Sequence, residues 1–229
     1  MNRIEKIFAA IKQPLIAADV CGAPDMATSE KRIRAIIAGG ANIINLIIPF
    51  SDPMADGAEV QQAAQKALQN GATLHNILPM IKNIRQDNPA VGLIVSGYCN
   101  VFMQYGYEKL FQQLAELEID GILINDLPFE ERSETAAFAQ KYQVPQITDC
   151  GLTDDAQRLQ LITADAQKFV ITANSAKIDF LRNLLALPVA APCSMSCQAD
   201  AVIAGKEIPA LPLEELTAFV KTLCEKIQQ

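Results

Sequence analysis

Short apolar runs rich in Ile, Val, Leu and Ala recur along this chain, and nearly every pair is separated by enough residues for a helix. That alternation limits the fold more than any other feature. The runs lie at 15–20, 43–48, 91–95, 119–124, 144–148, 169–172, 188–191 and 201–204. Each is short enough for a strand and is bordered by Gly, Pro, Asn or Asp. Amphipathic stretches at 29–38, 59–69, 75–86, 107–117, 129–142, 153–162 and 178–187 fill the gaps, with Thr153 placed to cap its helix. A further stretch at 2–12 puts Ile4, Ile7, Phe8 and Ile11 on one face. The last, 213–227, does the same with Leu216, Phe219, Val220, Leu223 and Ile227. Strands alternating with helices predict an α/β protein with a parallel sheet. Eight of them predict a closed (β/α)8 barrel of the TIM type, one domain over 1–229. An open doubly wound sheet is the alternative, disfavoured because no G-x-G-x-x-G follows the first run.

One unit breaks the pattern. Only PCSMSCQAD separates the seventh run from the eighth, whereas a parallel crossover takes about a dozen residues or more. The seventh outer helix is therefore expected to be missing or reduced to one turn. Apolar strand surface would then be uncovered unless another segment or subunit lies over it.

Composition excludes several function classes. A net charge of −7 leaves no basic footprint for nucleic acid. No apolar run reaches the ~18 residues that a membrane span needs. The opening residues, MNRIEKIFAAIKQ, mix charges at helical spacing and do not read as a signal peptide, so a cytoplasmic location is expected. The six cysteines include no CxxC pair, and His75 is the single histidine. No metal site and no cofactor are expected, and the cysteines are read as free thiols.

In a barrel, chemistry sits just past the C-terminal ends of the strands. There the second run passes into a Pro/Asp/Gly loop, ANIINLIIPFSDPMADG over 41–57, which carries Asp52 and Asp56. Asp19 closes the first run and Asp149 the fifth, so both are expected to face the mouth. The plainer reading makes them turn and cap residues. Asp126 has the same plain reading, and Tyr98 reads as a rim aromatic. Asp52 is expected to organise its own loop, and His75 to lie on the surface.

PFSDPMADG resembles the loop after the second strand in the tryptophan synthase α subunit family. LIVSGYCNVFMQYGYEKL is similar to that family's third-strand region, through Tyr98, Asn100, Phe102 and Tyr105-Gly106. IDGILINDLPFEE is similar to its fourth strand and Asp-Leu-Pro turn, here Asp126, Leu127 and Pro128, and ADAVIAG to its eighth strand. The resemblance implies a (β/α)8 barrel that cleaves indole-3-glycerol phosphate to indole and glyceraldehyde 3-phosphate. It also implies a pyridoxal-phosphate β subunit as the partner that receives the indole.

Residue roles follow from the same resemblance. Asp56 stands at the position of the family's Asp, which binds the indole N–H. Asn45 stands where the family has the catalytic Glu that protonates indole C3. An amide cannot hold and release a proton near neutral pH. Tyr98, Asp126 and Ile171 fall at the substrate pocket, and Asp19 and Asp149 are the carboxylates available as substitutes. The family's phosphate-binding glycines are largely absent after the sixth and seventh strands. Gly205 survives after the eighth, beside Lys206, which could add charge. Asp52, Pro53, Asn100 and Pro128 lie in loops that face the partner in the family. Two readings result: a lyase with an altered, impaired or redirected site, and a non-catalytic α-like partner of a β-type subunit.

Overall fold

The computed structural model describes residues 2–151, 155–195 and 198–228. The chain runs α1 (Arg3–Ala10), β1 (Leu15–Val20), α2 (Met26–Ala38), β2 (Ile43–Ile47), α3 (Ala58–Gln69), α4 (Leu74–Asp87) and β3 (Gly92–Gly97). It continues with α5 (Cys99–Tyr105), α6 (Tyr107–Glu116), β4 (Gly121–Ile124), α7 (Ser133–Tyr142), β5 (Thr148–Cys150) and α8 (Ala156–Thr163). Then come β6 (Val170–Thr172), α9 (Ile178–Leu184), β7 (Val189–Pro192), β8 (Ala201–Ala204) and α10 (Leu213–Ile227).

All strand pairs are parallel, in the order β4-β3-β2-β1-β8-β7-β6-β5. The two ends meet where Ile122 pairs with Gln146, just before β5, through bonds from Ile122 N to Pro145 O (2.9 Å) and from Ile147 N to Ile122 O (2.8 Å). The sheet is thus an eight-stranded, nearly closed barrel, as the alternation predicts.

Each strand or its lead-in sends one apolar residue to a common inner core: Ile16, Ile43, Ile94, Leu123, Ile147, Phe169, Ala190 and Ala201. Ile4, Ile7 and Phe8 of α1 pack against the same core, so this helix closes the bottom of the barrel. Its start is secured by a capping box, in which Asn2 accepts from Glu5 N and the Glu5 carboxylate accepts from Asn2 N. The outer core lies between sheet and helices, with Ile33 and Ile36 of α2, Ile77 and Ile81 of α4, and Leu216 and Val220 of α10.

Three differences from the sequence reading matter. First, SGYCNVFMQYG contains the extra helix α5, which buries Phe102 alone. Phe102 sits directly under Gly97, where a Cβ would lie 2.8 Å from its ring. Second, β5 begins later than expected, and α8 begins at Ala156 with Asp155 accepting from Arg158 N (2.8 Å) as its cap. Thr153 lies outside the described residues. Third, among the described residues the short link after β7 holds one 3-10 turn, Cys193–Met195, and no apolar strand surface is left uncovered there. Val189 and Ala191 are fully buried against Ile178, Leu181 and Ala199, and Val202 and Ala204 against Ile208, Leu216 and Val220. The neighbouring helices α9 and α10 cover the strands, and Asp200 anchors the link. Its carboxylate accepts from Val189 N (2.9 Å) and from Arg182 of α9.

Candidate functional site

Strand residues alternate between bore and helix layer, so one inward residue identifies the rest. Ile43 faces the bore, and therefore so does Asn45, two positions on, level with Ala18 of β1 and Ile94 of β3. Asn45 is half-buried. Its Oδ1 is closed off from water and has no hydrogen-bond partner among the described residues. A buried polar atom left unpaired costs roughly 1–3 kcal/mol, which sets Asn45 apart from the aliphatic residues around it.

The loop after β2 carries a carboxylate that is tied to the residue following β3. Tyr98 Oη donates to Asp56 Oδ2 at 2.7 Å and accepts from Ala55 N at 3.0 Å. Gln61 Nε2 donates to the Asp56 carbonyl at 2.8 Å, which fixes the loop to α3. Tyr98 is buried, with its ring centroid 5.2 Å from that of Phe50, and the Asn125 side chain also reaches its hydroxyl. Burial pushes the Asp56 carboxyl above the usual carboxylate range, and the Tyr98 hydroxyl pulls it partly back. Burial and the adjacent Asp56 hold the Tyr98 phenol well above its ordinary value, so it stays protonated and donates. Asn125 was not singled out from sequence. Its position at the end of the fourth run, just before Asp-Leu-Pro, is the signal that would have found it.

Asp19 corrects an expectation. It has the opposite parity to Ile16 and lies in the helix layer, fully buried. Arg32 of α2 clasps it, with Nε to Oδ2 at 2.9 Å and Nη2 to Oδ1 at 3.2 Å. The same guanidinium donates to the carbonyls of Leu211 and Ile208. Asp19 is a structural anchor between β1, α2 and the segment before α10, and it does not reach the mouth.

Asp149 shares the inward parity of Ile147, is exposed, and stands opposite Ile171 in the β5–β6 register. Ile171 is half-buried against the bore core. Asp126 is exposed and accepts from Cys99 N at 2.7 Å, so it holds the start of α5. Gly205 is half-buried just past β8, and Lys206 beside it is exposed.

Of the loop residues expected to face a partner, Asp52, Asn100 and Pro128 are exposed. Asp52 accepts from the Ser51 hydroxyl at 2.5 Å, and Asn100 from Gln104 Nε2 at 3.0 Å. Pro53 is buried, because it packs inward where the loop turns, and offers no surface for contact. Met54 is 87% exposed and Met103 is 59% exposed, two apolar side chains that sequence reading passed over. His75 is exposed, edge-on to Tyr105. Among the described residues no group of His, Cys, Asp and Glu could hold a metal ion, and no helix is long and apolar enough to cross a membrane.

A parallel eight-stranded barrel with an inward amide, a Tyr-held carboxylate and exposed loops at its C-terminal mouth defines a (β/α)8 protein of the kind that takes small molecules there. The profile of one family, described as tryptophan synthase alpha chain, matches residues 6–189. The chain belongs to that family. The tryptophan synthase alpha chain of Bacteroides fragilis is 36% identical over 178 residues, covering 77% of this chain and 67% of that one. The one from Granulibacter bethesdensis is 32% identical over 246 aligned positions, covering 99% and 88%. The crystal structure of tryptophan synthase subunit alpha from Legionella pneumophila superposes with a TM-score of 0.90 at 27% identity, covering 100% of this chain and 99% of that one.

Proposed function

We propose that this chain is a single-domain, cytoplasmic α-type barrel in which cleavage of indole-3-glycerol phosphate is impaired, and that it acts chiefly as the partner of a tryptophan synthase β-type subunit. One observation carries the reading. Asn45 occupies the inward position on β2 with its amide oxygen buried and unpaired. An amide there can bind a donor but cannot protonate carbon, and removal of a placed general acid lowers rates by roughly 10²–10⁴-fold. The phosphate end supports the same reading. Of the family's phosphate-binding glycines only Gly205 is matched, with exposed Lys206 beside it as a substitute charge, so remote binding energy for a phosphate-bearing substrate is reduced.

The rim is better kept than the centre. The Asp56–Tyr98 pair is closed and hydrogen-bonded, and Asp52, Met54, Asn100 and Pro128 are exposed around it. An exposed apolar side chain such as Met54 suits an interface. A second reading, a residual or redirected lyase, is favoured by Asp149. Its exposed carboxylate lies on the inward side of β5 and could take the place of the missing acid.

The test is indole release from indole-3-glycerol phosphate, with and without the cognate β subunit, for wild type and Asn45→Glu. Wild type is expected to release indole far more slowly than ~1 s⁻¹. Asn45→Glu is expected to recover less than about 10²-fold, because the phosphate anchor stays weak. Wild-type turnover at an ordinary enzyme rate, lost on Asp149→Asn, would replace this reading with the second one.

A further inference from the structure

A cavity of about 780 Å³ opens on the outer wall of the barrel, away from the mouth, between α7, the turn after α8 and the start of α1, where Lys168 pairs with Glu5. Its lining is unusual for a barrel wall. The outward residues of the β5 region are polar, Gln146 and Thr148. Helix α7 brings Ala136 and Gln140 to it and buries only Thr135, which bonds Gln146. Small and polar side chains thus stand where large aliphatic ones usually join helix to sheet, and a polar space is left beside α7.

Arg132 reaches into that space. Its guanidinium is mostly buried, yet its contacts are long. Nη1 donates to Ile162 O at 3.2 Å and to Thr148 Oγ1 at 3.3 Å. The nearest carboxylate, Asp165, is 3.7 Å away and 70% exposed. Nε and Nη2 make no hydrogen bond with any described residue. The two fully buried arginines differ: Arg32 and Arg85 each hold a buried carboxylate, at 2.9 Å and 2.8 Å. Burial pulls the Arg132 guanidinium below its ordinary range, and distant Asp165 only partly offsets this. Phe129 stacks against the guanidinium, with the cation 5.4 Å from the ring centroid, and keeps it in place.

We infer that this cavity is a binding site for a small molecule bearing an oxyanion, a phosphate or a carboxylate. Two parallel N–H groups of a guanidinium fit the two oxygens of such a group, and a cation whose closest described carboxylate is mostly exposed and 3.7 Å away gains from it. The neighbouring amides of Gln140 and Gln146 can satisfy hydroxyl or carbonyl groups on the rest of the molecule. Thr148 joins the site to β5, next to Asp149 on the opposite side of the strand.

The experiment uses the full ¹⁵N-labelled chain, titrated by NMR with inorganic phosphate, with succinate, and with chloride at matched ionic strength. The Arg132 Nε–H signal and the side-chain amides of Gln140 and Gln146 are expected to shift and saturate, with a Kd on the order of 1 mM for at least one oxyanion. Saturation by phosphate alone, or by succinate alone, names the source. Arg132→Lys keeps the charge and loses the fork, so affinity should fall about tenfold. Asp165→Asn removes a competing carboxylate, so affinity should rise several-fold. Equal shifts with chloride, or equal affinity in a folded Arg132→Lys variant, would overturn the assignment. A response lost in Lys206→Ala would place the anion at the barrel mouth instead and overturn it too. If Arg132→Lys does not fold, Asp165→Asn decides: affinity unchanged or lower means that Arg132 does not hold the anion.

Discussion

Asn45 sits beside Ala18 and Ile94 in an otherwise aliphatic part of the bore, with an amide oxygen that no described residue satisfies. Asp56 is shaped by similar burial, and its effect has a definite sign. Its carboxyl is held above the ordinary value of 3.8 by desolvation, against the pull of Tyr98. A raised acid contributes stability that is present below its ordinary value and lost as pH rises through the raised one. The unfolding free energy of Asp56→Asn, measured against wild type, is therefore expected to gain steadily as pH rises from about 4 toward neutrality. A difference that stays flat, or falls, would mean that Asp56 is not buried in solution. Asp19 gives a second residue-scale prediction. Asp19→Ala leaves the Arg32 charge buried with carbonyl partners only, so a loss of about 3–5 kcal/mol is expected in urea unfolding. A loss below ~1 kcal/mol would return Asp19 to the list of candidate acids. Sequence reading put Asp19 and Asp149 in one class because both end an apolar run. Only Asp149 has the inward parity, since Asp19 follows an even number of residues that bury both faces.

The elements were legible where a sequence period survives. Strands β1 and β8 and helix α10 have the ends that the apolar pattern predicts, because each is bounded by turn residues and carries one unbroken pattern. The α5 helix was not legible. Cys99–Tyr105 buries only Phe102, and the carboxylate holding its start comes from Asp126, 27 residues away. The β5 strand shifted for a related reason: its pairing follows the closure between Ile122 and Gln146, not its own short run. At the link between β7 and β8, length correctly predicted a single turn, but Asp200 and the reach of α9 and α10 were invisible. Asp200→Ala removes the acceptor of Val189 N. The Arg182 pair is about one-third exposed, so it adds little, and the expected loss is about 1–2 kcal/mol by urea unfolding. No change in stability would show that α9 and α10 hold the link without it.

For the whole molecule, the proposed partner makes the mouth loops an interface as well as a rim. Met54→Asp is expected to weaken association with a β-type subunit by tenfold or more in calorimetry, about 1.4 kcal/mol, while thermal stability changes little. Unchanged association would remove the loop after β2 from the interface. The order and number of the strands, and the presence of an amide at position 45 and a carboxylate at position 56, were all determined locally, because turn residues and hydrophobic period are properties of neighbouring residues. The inward or outward sense of each strand residue was not. Strands buried on both faces lose the alternation that would report it, as the unbroken burial of Leu15–Val20 and Gly92–Gly97 demonstrates. Barrel closure and register supply that sense. They turned Asp19 toward Arg32, set Asn45 into the bore, covered β7 and β8 with α9 and α10, and left Arg132 in a polar cavity with exposed Asp165, 3.7 Å away, as its described counter-ion. Each depends on residues far apart in the chain, and packing across the sheet is what brings them together.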